Sequence, residues 1–179
     1  MYWKKRTRRS RGGAKRQCLT TLCAILLLCG AAAALDRLSD MQSRFDKETH
    51  AGAKIKMLEK LTDAQFDTER KAIGANDFVT VGLTLEKYRD NVRACFDLLK
   101  KQEPDADRHS GGYRQLELQI RKGIREVEDT MQVAPPEVQP PLQLVHRDLV
   151  DMDDEMIRLL FPRRTPEPEK VPPVPEAKP

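Results

Sequence analysis

Apolar residues recur along most of this chain at alternating steps of three and four. Val81, Leu85, Tyr88, Val92, Cys95 and Leu99 step by 4, 3, 4, 3 and 4, which places all six on one face of a helix. Tyr113, Leu116, Ile120, Ile124, Val127 and Met131 repeat the pattern, and so do Leu142, Val145, Leu149, Met152, Met156 and Leu159. Further towards the N-terminus, Leu35, Leu38, Met41 and Phe45 make a short stripe. Ile55, Leu58, Leu61, Gln65 and Ala72, flanked by Phe66 and Ile73, make a longer one. Thr49 to Ala53, small and polar around Gly52, marks a weak point between the two, so this region reads as one long helix or as two.

The boundaries follow from local chemistry. Asn76-Asp77 supplies a turn and an N-cap, with Phe78 as a staple at the helix entry. Pro104 disfavours helix at Glu103, so the helix before it ends near Gln102. Ser110 is the expected cap of the next helix, after a polar loop from Glu103 to Gly112. Pro135-Pro136 and Pro140-Pro141 confine the start of the last helix to Pro140 or just after, because proline fits a first turn and not an interior. Phe161-Pro162 stops it. No run alternates with period two for long enough to form a strand. The expected fold is all-α: an antiparallel bundle of about four helices over residues 36–161, with an N-terminal signal or anchor helix over 1–35 and a disordered Pro-rich tail over 162–179.

The leader carries the clearest functional message. Lys4, Lys5, Arg6, Arg8, Arg9, Arg11, Lys15 and Arg16 occupy a stretch without an acid before Asp36, and an apolar block from Cys18 to Leu35 follows. A basic head, an apolar core and an Ala-rich exit form the pattern of an export signal. The small residues Gly30 to Ala34 favour cleavage after Ala33 or Ala34. Retention as an anchor is the alternative, with the head cytoplasmic by the positive-inside rule. Leu26-Leu27-Leu28-Cys29 has the outline of a lipoprotein box, but Leu28 fills the slot that wants a small residue. Arg8-Arg9 lacks the apolar followers of a twin-arginine signal. Whether the segment is cleaved, lipidated at Cys29 or retained stays open.

Setting the leader aside changes the charge picture. The whole chain carries +4. Beyond residue 35 there are 24 basic against 28 acidic residues, a net −4. An acidic body gives no reason to expect nucleic acid or anionic lipid as a partner. A membrane contact is expected only through residues 18–35, if they are retained. Cys18, Cys23 and Cys29 fall in the leader, which leaves Cys95 alone in the body and precludes an internal disulfide there. Its place on an apolar stripe reads as a buried small hydrophobe rather than a reactive thiol.

A search for chemistry returns no catalytic, cofactor-binding or metal-ligating residue. His146-Arg147-Asp148-Leu149 spells the opening of a kinase catalytic loop, yet Asp153 stands where the asparagine belongs and Leu149 fits the helical seam. Asp151, Asp153, Asp154 and Glu155 lack the glycine and the terminal glutamate of an EF-hand loop. They read as a solvated helix face, partly offset by Arg158. His50, His109 and His146 share no ligand spacing. Asp105, Asp107, Arg108 and His109 form the best-placed polar group on a loop.

Asn76-Asp77-Phe78 with Val81, Leu85 and Tyr88 resembles the second helix of a tetratricopeptide unit, although Glu69 departs from the small residue that the preceding helix would need and no second copy follows. Residues 45–162 resemble a group of uncharacterised, exported, all-helical bacterial proteins. That likeness rests on Phe45-Asp46-Lys47-Glu48, on Tyr88-Arg89-Asp90 with Val92-Arg93, and on Pro140-Pro141 through Asp148-Leu149 to Leu160-Phe161-Pro162. It implies a bacterial envelope setting and carries no activity. In the tail, Pro166 to Lys170 is similar to a fragment of the Glu-Pro/Lys-Pro spacer of TonB proteins, and Pro172-Pro173-Val174-Pro175 suits a proline-binding partner. A plain solvated tail is the simpler reading.

Together these features point to a non-catalytic, exported helical protein, periplasmic or in the cell envelope, acting through contacts with an unidentified protein partner. A helical enzyme or ligand-binding module, and a membrane-anchored accessory subunit, are the alternative readings.

Overall fold

The computed structural model describes residues 37–162; the basic head, the apolar block and the chain beyond Pro162 lie outside them. Among the described residues the fold is all-helical, with no strand. The chain divides into two compact units between Lys47 and Glu48.

The first unit contributes one described helix, α1 (37–47). It follows the short stripe: Leu38 and Met41 are half-buried and Phe45 is buried. Its polar side is laced by an Asp40–Arg44 ion pair at 2.9 Å and by Gln42 donating to Asp46 at 2.8 Å, both at the i,i+4 spacing that stabilises a helix surface.

The second unit is a helical bundle of α2 (Ala51–Gly74), α3 (Phe78–Gln102), α4 (Ser110–Val133) and α5 (Gln139–Leu160), with a 3₁₀ turn at Pro136–Val138. Of the two readings for the N-terminal region, two helices is the correct one; the break falls at Glu48–His50, overlapping the expected weak segment Thr49 to Ala53 at its first two residues. The Glu48 carboxylate accepts the backbone N–H groups of Thr49 and His50, at 2.9 and 2.8 Å. That local bond offers the backbone an alternative to helix. Gly52 lies inside α2. With no side-chain cap from His50, the N–H of Ala51 is taken by the Gln102 side chain at the end of α3, 2.9 Å away.

Asp77 caps α3 as expected, accepting from the Thr80 N–H at 3.1 Å and from its hydroxyl at 2.6 Å. Asn76 before it adopts φ 57°, the left-handed turn that asparagine tolerates. Phe78 is the first helical residue and half-buried, not a staple outside the helix. Ser110 is not a cap: His109 holds that position without a capping bond, and Ser110 begins α4. α5 begins one residue ahead of Pro140, because the 3₁₀ turn delivers the chain at Gln139 already in helical geometry. The Gln139 side chain then donates to the Met131 and Ala134 carbonyls at 2.7 and 3.2 Å, satisfying the end of α4.

The α3 stripe is buried at all six positions, from Val81 to Leu99. The α5 stripe is buried at five, with Leu159 half-buried. α4 departs most. Ile124 and Met131 are only half-buried, and Gln119, Gly123 and Thr130 take the inward places. The inner face of α2 is likewise mixed, with Thr62, Gln65 and Glu69 buried beside Ile55, Leu58, Leu61 and Phe66.

Candidate functional site

Three places in the second unit carry enough chemistry to be weighed as a site. The first is a polar seam inside the core, where Thr62, Gln65 and Glu69 of α2 and Gln119 and Thr130 of α4 are buried. Tyr88 of α3 enters it, its ring packed at 5.0 Å on Phe66 and its hydroxyl donating to the Gln119 carbonyl at 2.6 Å. Thr130 donates its hydroxyl to Glu69. Burial pushes the Glu69 carboxyl up to about 7; Thr130 opposes that shift and the nearby Glu126 carboxylate adds to it. Glu126 is itself held by Arg70 at 2.9 Å.

Four oxygens of the seam have no hydrogen-bond partner among the described residues: Thr62 Oγ1, Gln65 Oε1, Glu69 Oε2 and Gln119 Oε1. A raised carboxyl among under-satisfied polar atoms is the signature that draws attention to a site. A general acid must nevertheless come within about 2.6–3.2 Å of the atom it serves. Glu69 is 0% exposed and the grooves described next are lined by other residues. The seam has the chemistry of an acid, and its carboxyl is out of contact with solvent.

The second place is the charged face between α3 and α5, lined by Arg93, Phe96, Asp97, Lys100, Asp148, Asp151, Met152 and Glu155. Asp148 of the kinase-like tetrapeptide accepts from Arg89 and Arg93 at 3.3 and 3.4 Å, while Leu149 is buried as the stripe requires. Glu155 pairs with Lys100 of α3 at 3.0 Å, and Lys100 also sits 4.4 Å from the Phe96 ring centre. Asp153 pairs with Arg121 of α4 at 3.6 Å. Of the expected solvated acidic face, Asp151 and Asp154 are exposed, whereas Asp153 and Glu155 are bound to bases of α4 and α3. Charges paired in this way tie the helices together.

The remaining sequence candidates stay apart. His146 sits 3.0 Å from Glu128, and His50 and His109 are exposed. Asp105 spends its carboxylate on the Arg108 N–H and guanidinium within its own turn, at 3.2 Å each, and Asp107, Arg108 and His109 are exposed around it. Among the described residues no group of three or more His, Cys, Asp or Glu is placed to hold a metal ion. Cys95 is 0% exposed and burial pushes its thiol up to about 12, far from the thiolate needed for nucleophilic work.

The third place was not apparent from the sequence. The first turns of α3 and the first turn of α5 lie side by side and leave an apolar groove of about 230 Å³. Phe78, Val79, Val81, Gly82, Leu83, Val138, Pro141 and Leu142 line it, with Glu86 as its single ionisable group. Val79 is 74% exposed and Leu83 62%, two large apolar side chains one turn apart and facing water. Their off-stripe spacing beside the buried Val81 and Leu85 was the one available signal.

Family models, curated proteins and solved structures were all compared with the chain, and none matches it. Among the described residues no helix is long and apolar enough to cross a membrane.

Proposed function

We propose that this chain is an exported, non-catalytic helical protein that acts through protein contacts in the cell envelope, and that the groove between the starts of α3 and α5 receives an extended, proline-containing segment. The observation that carries the reading is the exposed pair Val79 and Leu83 over a groove lined with Phe78 and Pro141. At about 230 Å³ the groove is smaller than the ~300–1,000 Å³ in which drug-sized ligands are enclosed, so a few side chains of a peptide fit it better than a free small molecule. Extended proline-rich segments dock on aromatic-bearing apolar grooves with little ordering cost, because their backbone is already restricted. Every other chemically active group weighed above is sealed in the core, paired with a neighbour or isolated.

The scaffold for this role is an antiparallel bundle of the four helices α2 to α5. Cross-contacts support that arrangement: Gln102 at the end of α3 with Thr49 and Ala51 at the start of α2, Gly112 at the start of α4 with Leu99 near the end of α3, and His146 of α5 with Glu128 near the end of α4. Export rests on the basic head and apolar block of residues 1–35. Cleavage frees the domain and retention anchors it, and the mass of the mature chain decides between them.

The contact reading is tested by titrating a synthetic polyproline peptide into the chain and into Leu83→Asp, and following amide resonances. Saturable shifts at residues 78–86 and 138–142, weakened about tenfold or more in the variant, support it. Absence of binding, or binding that Leu83→Asp leaves unchanged, sinks it. Leu83 faces solvent, so the substitution leaves the core alone.

A further inference from the structure

The groove has an occupant at hand in this chain. We infer that the segment Val171-Pro172-Pro173-Val174-Pro175 docks into the groove between the starts of α3 and α5, in cis, and competes there with the partner segment; this deepens the contact reading above and rests on it.

Reach is the first argument. The groove meets α5 at Pro141 and Leu142, at the opposite end from Leu160. Eighteen residues of helix separate Leu160 from Leu142, about 27 Å at 1.5 Å per residue. Val171 follows Pro162 by nine residues, about 28 Å at the 3.1 Å rise of a proline-rich extended chain. The tail starts two residues beyond Leu160 and must also turn, so when extended back along α5 it brings Val171 to the near edge of the groove and Val174, about 9 Å further on, into it.

Chemistry is the second. Arg163 to Lys170 is polar and charged throughout except at its prolines, whereas Val171 to Pro175 holds no polar side chain. The change from solvated to apolar falls where such a tail comes to the edge of the groove. Lys170 precedes the apolar run, and Glu86 is the single ionisable residue of the groove, two turns into α3 on the side from which the tail would arrive. An ammonium entering beside that carboxylate fixes the direction of the segment. Val171 and Val174, three apart in a helix of three residues per turn, then present side chains on one side of the segment, towards Leu83 and Val79.

Tethering sets the magnitude. A linker whose length matches its span gives an effective concentration on the order of millimolar. A segment that binds at about 100 µM when free is then about nine-tenths docked in cis, and a competing peptide binds about tenfold more weakly than to an open groove.

The test uses the full chain in detergent, beside a Val171→Asp/Val174→Asp variant. Both substitutions lie beyond the described residues 37–162, and none of the helices α2 to α5 is altered. The expected result is a set of amide shift differences confined to residues 78–86 and 138–142, independent of protein concentration, with polyproline peptide binding about tenfold tighter in the variant. Unchanged groove resonances, with unchanged peptide affinity, overturn the docking while leaving the contact reading to the Leu83→Asp titration. Shift differences that fade on dilution overturn docking in cis, since they place the tail of a second copy in the groove.

Discussion

The Tyr88 ring occupies the space where a side chain at residue 123 would begin. A Cβ on Gly123 would meet Tyr88 Cε1 at 2.2 Å and its hydroxyl oxygen at 2.6 Å, well inside any carbon contact found in a packed core. This absence of a side chain lets the phenol lie against the α4 backbone and donate to the Gln119 carbonyl at 2.6 Å. Gly123 is costly to a helix interior in propensity, by about 1 kcal/mol relative to alanine, and the packing of α3 on α4 is what the sequence gains for it.

Gly123→Ala should therefore destabilise the bundle although alanine is the better helix former. The clash displaces a fully buried ring and its hydrogen bond, which overpacking data put at about 1–3 kcal/mol, with about 1 kcal/mol more for the bond. A loss of about 1–3 kcal/mol after the propensity gain is expected in denaturant unfolding. Tyr88→Phe in the Gly123→Ala background should recover part of it, because the shorter ring removes the hydroxyl that lies 2.6 Å from the new methyl. An unchanged unfolding midpoint in Gly123→Ala would mean that the two helices separate more easily than their contact indicates.

Glu69 makes stability depend on pH in the direction opposite to most carboxylates. Its folded-state value, about 7, lies above the ordinary 4.5 because burial disfavours the charged form. Between those values the folded state binds the proton more tightly than the unfolded chain does. The stabilisation is thus complete below pH 4.5 and is lost as pH rises through 7. The full swing is on the order of 3 kcal/mol. Glu126, which raises the value further, and Arg70, which lowers it, face the same carboxyl and are paired with each other at 2.9 Å. Glu69→Gln cannot ionise, so relative to the parent it should gain stability progressively from pH 5 to pH 8. Parallel stability curves for the two proteins across that range would contradict a buried, raised carboxyl.

Much of this was legible beforehand, and the exceptions share a cause. The α3 stripe from Val81 to Leu99 is buried at every predicted position, because an all-apolar face has one place to go. The α4 stripe failed at Ile124 and Met131, where Gly123 and Thr130 turn inward. Hydrophobic periodicity has no way to anticipate an inward glycine, since the reason for it is a tyrosine on another helix. Glu69 was visible only as a misfit in a tetratricopeptide pattern; its partner Thr130 lies 61 positions away. The groove escaped notice for a related reason. Val79 and Leu83 are ordinary helix residues in sequence, and only the arrival of Val138 to Leu142 beside them makes a concave surface.

Cys95 should be inert in the folded chain. It is 0% exposed and its thiol is pushed up to about 12, so both access and thiolate fraction oppose alkylation. Incubation with iodoacetamide at pH 8, followed by peptide mass mapping, should leave Cys95 unmodified in buffer and modify it in denaturant. Mapping by peptide matters because Cys18, Cys23 and Cys29 precede it in the chain. Labelling of Cys95 in buffer at the rate seen in denaturant would show that the α3 seam opens readily.

The orientation of α5 can be tested with two adjacent residues. Val145 is 1% exposed and Leu144 is 45% exposed, as expected when consecutive helical positions stand about 100° apart on the helix. Val145→Asp places a carboxylate in the core without a partner and removes a buried side chain. Uncompensated burial of a charge costs several kcal/mol, about half or more of the stability of a domain this size. Circular dichroism should show the helical signal lost, or melting brought close to room temperature. Leu144→Asp puts the same charge one residue away, where water solvates it, and should stay within about 0.5 kcal/mol of the parent. Only the face differs between the two variants. Equal melting points would mean that the stripe Leu142, Val145, Leu149, Met152 and Met156 does not face the core, whereas a large gap fixes the rotation of α5 and, with it, the side on which Pro141 and Leu142 meet α3.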